Sequence, residues 1–119
     1  MTVLVTGAAG FIGYSTVLAL LDAGRRVIGI DNLNDYYDVS LKQARLDKLL
    51  ARDGFTFSCI DIAERQAVDA LFTEHSAISE VIHLAAQPGV RYSLINPYAY
   101  TRTNIEGHLV LLEASRKLP

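Results

Sequence analysis

Four short apolar runs recur along the chain, each separated from the next by a stretch in which apolar residues return every three or four positions. Val3-Leu4-Val5, Arg26-Val-Ile-Gly-Ile30, Phe55-Thr-Phe-Ser-Cys-Ile60 and Glu80-Val-Ile-His-Leu-Ala-Ala86 read as strands. The spacing between them predicts helices. The first continues from a glycine-rich turn through Leu18, Leu20 and Leu21. The second runs from Leu41 to about Arg52, with Leu41, Leu46, Leu49 and Leu50 on its apolar face. Asp38 or Ser40 suits its N-cap, and Asp53-Gly54 stops it. The third spans about Glu64 to His75, turning Ala67, Val68, Leu71 and Phe72 inward. A long fourth helix is expected from about Pro97, a residue suited to a first turn, to Lys117.

Strict βα alternation implies a doubly wound parallel sheet of four βα units, with right-handed crossovers and helices on both faces. The expected strand order is 3-2-1-4, so the order reverses between the first and fourth strands. In such sheets the ligand crevice opens at the carboxyl ends of the strands flanking the reversal. Gly7, Asp31, Asp61 and Ala85 all fall at predicted carboxyl ends and therefore converge on one site.

Composition narrows the class. At 119 residues the chain is expected to be one domain able to bury a core; half its residues are hydrophobic and a fifth charged. A net charge of −2 argues against nucleic acid or an anionic membrane as an electrostatic partner. The single cysteine, Cys59, allows no intrachain disulfide and no zinc cluster, and is expected to be a buried, inert thiol. No apolar run approaches the roughly 18 residues of a membrane span, and the first strand leaves no room for a leader, so a cytoplasmic location is the expectation.

The chemistry begins at Thr6-Gly-Ala-Ala-Gly-Phe-Ile-Gly13. Gly7 permits a sharp turn off the strand, Gly10 carries no side chain to hold off a diphosphate, and Gly13 lets the helix pack closely. Free N–H groups at the helix start, reinforced by the helix dipole, favour an anion there. Asp31 lies about 20 residues beyond, where a carboxylate accepts from ribose hydroxyls. The bland alternative is an ordinary βαβ turn without ligand. Asp31 followed by Asn32, with Arg25 and Arg26 at the far end of the strand, favours NAD; a 2′-phosphate would meet like charge and no arginine.

Three segments resemble a known family. Thr6–Gly13, Asp31-Asn-Leu-Asn-Asp-Tyr-Tyr-Asp38 and His83-Leu-Ala-Ala-Gln-Pro-Gly-Val-Arg-Tyr-Ser93 are similar to the extended short-chain dehydrogenase/reductases. Within these, the match is to the NAD-dependent nucleotide-sugar epimerase and dehydratase group, and above all to the UDP-glucuronate 4-epimerases. The resemblance implies a Rossmann-like fold with NAD as cofactor. It implies that Gly7, Gly10, Phe11, Ile12 and Gly13 hold the pyrophosphate. Asp31 would take the adenosine ribose, with Asn32, Asn34 and Asp35 beside it. Asp61 and Ile62 would lie against adenine, Leu84, Ala85 and Ala86 along the nicotinamide-side ribose, and Asn104 behind that half. Gln87, Arg91 and Tyr92 would face the sugar nucleotide, where an arginine could pair with a carboxylate or phosphate.

The same resemblance calls for a catalytic Tyr-x-x-x-Lys pair, and no tyrosine of this sequence has lysine at i+4. Tyr98-x-x-x-Arg102 is the near miss, with a guanidinium in place of the ammonium. The chain is therefore expected to comprise the cofactor-binding portion, ending before the fifth strand, the catalytic segment and the sugar-binding domain. Exposure of the fourth strand's edge and of apolar helix faces would favour a homo-oligomer. His83 reads either as a proton shuttle or as a satisfied core histidine, and Tyr36 and Tyr37 either as adenine-stacking or as loop packing. His75 and His108 are isolated, and no metal site is expected. The functional readings are an epimerase needing its other half, an NAD-binding module without turnover, and an interaction or regulatory module that kept the fold.

Overall fold

The computed structural model describes residues 1–119. Four parallel strands, β1 (Thr2–Thr6), β2 (Arg26–Asp31), β3 (Phe55–Cys59) and β4 (Ile78–His83), lie in the order β3-β2-β1-β4. Between them run α1 (Phe11–Asp22), α2 (Val39–Leu50) and α3 (Arg65–Glu74). The expected doubly wound sheet is the one observed.

Alternation along the central strands builds two cores. Val3, Val5 and Val27 point to one face, where they meet Val17 and Leu21 of α1 and Leu49 of α2. Leu4, Ile28 and Ile30 point to the other, against Val68 and Leu71 of α3 and Leu111 and Ala114 near the chain's end. Because successive side chains of a strand face opposite ways, a parallel sheet covered on both faces needs apolar residues at almost every position. β1 meets that demand, with all five residues buried.

Expectations for β4, β3 and α2 are corrected. β4 begins at Ile78 and ends at His83, so Leu84, Ala85 and Ala86 lie in the following loop, not in the strand. The Thr6 hydroxyl explains the early end: it accepts from the N–H of Leu84 at 2.9 Å and of Ala85 at 3.0 Å, drawing the chain out of the ladder. Cys59 is exposed, because β3 is a sheet edge and its last residue looks outward. On α2, Leu46 and Leu49 are buried as expected, but Leu41 and Leu50 face solvent and Lys42 takes a buried place on the stripe.

The expected long fourth helix is divided. A single turn, α4 (Tyr92–Ile95), precedes α5 (Pro97–Tyr100), a π-helical segment (Thr101–Glu106) and α6 (Gly107–Ser115). Asn96 ends the first turn and caps α5, its side chain accepting from the Ala99 N–H at 3.3 Å. Gly107 opens α6 against Ile62, where a Cβ would stand 2.6 Å from the isoleucine Cγ1. No helix is long and apolar enough to cross a membrane.

Candidate functional site

The turn after β1 is built by its own backbone. Gly7 takes φ +70°, a left-handed conformation that a Cβ would strain. The N–H of Ala8 donates to Ile30 O at 3.1 Å, and that of Gly10 to Gly7 O at 3.0 Å. The N–H of Ala9 donates to Asp31 Oδ2 at 3.1 Å. A Cβ on Gly13 would stand 2.7 Å from the Gly7 carbonyl carbon, so only glycine lets α1 start this close to the strand. After these bonds, the N–H groups of Phe11, Ile12 and Gly13 have no acceptor within the chain. They are the orphan donors of a helix start, aimed where an anion binds.

Asp31 is buried at the end of β2, and each oxygen already accepts one backbone N–H: Oδ2 from Ala9 and Oδ1 from Leu33 at 2.8 Å. A carboxylate has about four acceptor positions, so two remain for a ligand. The same aspartate therefore joins the glycine turn to the loop after β2. That loop continues through nested Asx turns: Asn32 Oδ1 accepts from Asn34 N–H at 3.0 Å, and Asn34 Oδ1 from Tyr36 N–H at 2.7 Å. Asp38 then caps α2 by accepting the Ser40 hydroxyl at 2.7 Å and its N–H at 2.9 Å; the hydroxyl first, then the N–H, hold its carboxyl below the ordinary value.

These elements surround one cleft of about 680 Å³ at the carboxyl ends of the strands. Among the expected cofactor residues, Gly7, Gly10, Phe11, Ile12, Gly13, Asp31, Asn32 and Asn34 line it on the side of β1 and β2. Asp61 and Ile62 line it after β3, and Leu84, Ala85, Ala86 and Gln87 after β4. Asp61 is fixed from behind, Oδ1 accepting from the Ala63 N–H at 2.9 Å and Oδ2 lying 3.2 Å from Arg102 Nη2.

Asp35, Asn104, Arg91 and Tyr92 lie off the cleft wall. Asn104, in the π-helical segment, clasps the backbone of Gln87: its Oδ1 accepts the Gln87 N–H at 2.8 Å and its Nδ2 donates to Gln87 O at 3.1 Å. It supports the wall from outside. Arg91 is exposed. Tyr92 packs its ring 5.1 Å from that of Tyr36, bridging the loops after β2 and β4, while the Tyr100 hydroxyl donates to Gly89 O. Burial, followed by the neighbouring Tyr36 and Tyr37, raises the Tyr100 pKa. Tyr36 and Tyr37 pack against each other edge to face at 5.0 Å, as loop packing requires, and both line the cleft.

Arg102, of the Tyr98-x-x-x-Arg102 near miss, is bound at 2.7 Å to Glu64 and also to Asp61; hydrogen bonding to Glu64 first, then Asp61, raises its pKa. Tyr98 points into solvent. His83 is half-buried, its Nδ1 2.6 Å from the Thr6 hydroxyl, and burial followed by His108 lowers its pKa. The hydroxyl partner fits a satisfied histidine, but half-burial puts it at the margin of the core and not within it. His108 is not isolated, since its ring stacks on His83 at 5.4 Å.

Sequence reasoning missed Lys42 and Arg45, which line the cleft from α2. Lys42 Nζ donates to Asn34 O at 2.7 Å, and Arg45 Nη1 to Ala9 O at 3.1 Å. The expectation of no arginine near Asp31 is thereby corrected: Arg45 and Asp31 both bond the backbone of Ala9, because α2 folds back over the strand end. A signal existed. Lys42 stands one and two turns before the buried Leu46 and Leu49, a charge on an apolar stripe.

The comparisons agree with this geometry. A UDP-glucuronate 4-epimerase of Thermodesulfobacterium geofontis is 54% identical over 110 residues, covering 92% of this chain and 34% of that protein. UDP-glucuronate 4-epimerase 4 of Arabidopsis thaliana is 48% identical over 118 residues, 99% of this chain and 26% of that protein. The crystal structure of UDP-glucuronic acid 4-epimerase from Bacillus cereus, in complex with UDP-glucuronic acid and NAD, superposes with a TM-score of 0.88 at 36% identity. The match covers 100% of this chain and 37% of that one. The chain thus spans about a third or less of these relatives' length. The family described as GDP-mannose 4,6 dehydratase matches residues 4–119, which hold all of the sheet except Thr2 and Val3 of β1 and every residue lining the cleft, and the chain belongs to that family.

Proposed function

We propose that this chain is the NAD-binding portion of a nucleotide-sugar 4-epimerase of the UDP-glucuronate type, holding the dinucleotide without epimerising sugar by itself. One observation carries the reading. The unclaimed N–H groups of Phe11, Ile12 and Gly13 and the two free acceptor positions of Asp31 face one cleft, and a single backbone bond from Ala9 fixes their separation. An anion donor set beside a diol acceptor set fits an adenosine diphosphate moiety.

NAD, when bound, supplies a hydride acceptor and donor. The chain's own residues do the rest of the holding. The Phe11–Gly13 N–H groups would bind the pyrophosphate, and Asp31 would orient the adenosine ribose. Asp61, pinned by Ala63 and Arg102, would present its carboxylate to the adenine edge beside Ile62. Leu84, Ala85 and Ala86 would exclude water along the other ribose, and Gln87 would border the sugar nucleotide. A 2′-phosphate would press against the Asp31 carboxylate, which favours NAD. No tyrosine here stands four residues before a lysine, so none of these residues offers the paired base that proton removal from a sugar hydroxyl requires.

Two further parts of the reading concern organisation. Residues 1–119 act as one cofactor-binding domain of a cytoplasmic protein. Chains associate with one another through the β4 edge or the apolar faces of the terminal helices, which expose Ile105, Leu109 and Leu112. Sedimentation at tens of micromolar is expected to show a dimer or larger species; a strictly monomeric mass removes self-association from the proposal.

Calorimetric titration of NAD into the purified chain tests the central claim. Saturable binding is expected, weakened at least about tenfold by Asp31→Ala, since the variant loses an ionised acceptor. Circular dichroism must show the variant folded. Absence of NAD binding by a folded wild-type chain would favour the alternative, an interaction or regulatory module that kept the fold.

A further inference from the structure

We infer that Lys42, with Arg45 one turn later on α2, is the cation pair that binds the phosphate groups of the dinucleotide; the inference rests on the dinucleotide reading above. Lys42 is 8% exposed and Arg45 half-buried. No carboxylate lies within 4.0 Å of either one, although lysines and arginines elsewhere in the chain form seven such ion pairs. Burying an ammonium without an anion is costly, and proteins ordinarily pair such a charge.

The carboxylates sharing the cleft are engaged elsewhere. Asp38 accepts from Ser40, Asp61 pairs with Arg102, and Asp31 accepts from Ala9 and Leu33 with its two remaining positions beyond 4.0 Å of both cations. The Lys42 ammonium spends one donor on Asn34 O, leaving two of its three. A residue needed only to prop the loop after β2 would require a donor, which a neutral amide supplies at smaller desolvation cost. The charge itself calls for a partner, and the cleft is where a partner can come.

The chemistry of that partner is set by the other groups around the same space. The amino end of α1 contributes positive potential through the unbonded N–H groups of Phe11, Ile12 and Gly13. Lys42 and Arg45 contribute two full charges from the other helix that lines the cleft. Two independent cationic sources around one volume suit a ligand with more than one negative charge, as a diphosphate has. Both cations are also tied to the loops that hold Asp31, so ligand charge, glycine turn and acid loop are coupled through α2.

Titrations of the purified chain with ADP and with adenosine, followed by calorimetry, separate charge from propping. Lys42→Met is expected to weaken ADP about tenfold, and adenosine less than twofold, because only ADP offers an anion for a charge-assisted bond. Lys42→Arg should restore most of the ADP affinity. Lys48→Met, which removes an exposed charge from the last turn of α2, should leave it unchanged. Equal losses for ADP and adenosine, or an unchanged ADP affinity in Lys42→Met, overturn the inference. Should that variant not fold, Arg45→Gln carries the test, and an unaltered ADP-over-adenosine preference there overturns it. Wild-type chain that binds ADP through Lys42 but not NAD would refute the dinucleotide reading while keeping the phosphate assignment. Wild type that binds neither ADP nor adenosine refutes both.

Discussion

β1 and β4 are hydrogen-bonded neighbours in one parallel sheet, paired over Thr2 to Thr6, yet their surroundings differ. All five residues of β1 are buried, whereas β4 has only Ile78 buried, two exposed residues and three half-buried ones. The contrast extends to the segment after each strand. After β1 comes a turn whose N–H groups are either bonded internally or directed at the cleft. After β4 come a loop and broken helices whose Leu94, Ile95, Tyr98 and Ile105 stand in solvent. The β1 side of the cleft is thus a finished unit, fixed by its own backbone. The β4 side holds its ligand wall by a few side-chain clasps, from Thr6, Asn104 and Tyr100.

The greatest loss should come from disturbing the finished side. Gly13→Ala drives a methyl into the Gly7 carbonyl, where backbone and not a flexible side chain is in the way. It is expected to cost about 3 kcal/mol or more, at the upper end of overpacking penalties. Chemical denaturation followed by circular dichroism reads the loss directly; a midpoint within error of wild type would show that the turn yields more easily than its bonding suggests.

An effect of similar size divides α6 along its length. Leu111 is buried against the β-sheet core, while Leu112, its neighbour, is exposed. Leu111→Ala is expected to destabilise by about 2–5 kcal/mol. Leu112→Ala should stay within about 0.5 kcal/mol in the monomer. Parallel urea melts check the pair. A large cost for Leu112→Ala, growing with protein concentration, would mean that the exposed face is covered by another copy.

The most modest change concerns pH. The pKa of His83 is lowered in the fold from its ordinary 6.5, by burial first and then by His108. The unfolded chain therefore takes up a proton before the folded one as pH falls. The contribution of neutral His83 is full above about 6.5 and is lost as pH drops through the folded value. Melting temperature should fall on acidification across that window, and less steeply in His83→Gln. Equal slopes for variant and wild type would assign the acid sensitivity to other groups.

Much of this arrangement was legible in advance. The alternation of strand and helix patterns, the glycine spacing and Asp31 lie in contiguous sequence, and local propensity agrees there with burial. The strand order and the walls contributed by Gly7–Gly13, Asp31, Asp61 and Ala85 follow from that agreement. The misreadings share a different cause. The end of β4 depends on the hydroxyl of Thr6, distant in the chain, which takes two N–H groups from the loop. Cys59 looked buried because its strand is apolar, and it is exposed because that strand is an edge. The π-helical break between α5 and α6 coincides with the Asn104 clasp on Gln87, which periodicity does not report.

Fold class, the order of the sheet and the place of the cleft were therefore written in the linear chain. Each rests on hydrophobic period, turn chemistry and the handedness of crossovers, which act locally along the sequence. Which charges line the cleft was settled only by the closed fold. Lys42 and Arg45 reach the glycine turn because α2 folds back over the end of β2, and Arg102 is spent on Asp61 and Glu64 because the π-helical segment passes the start of α3. Charge acts through space, and its partners are chosen only once the chain has closed on itself.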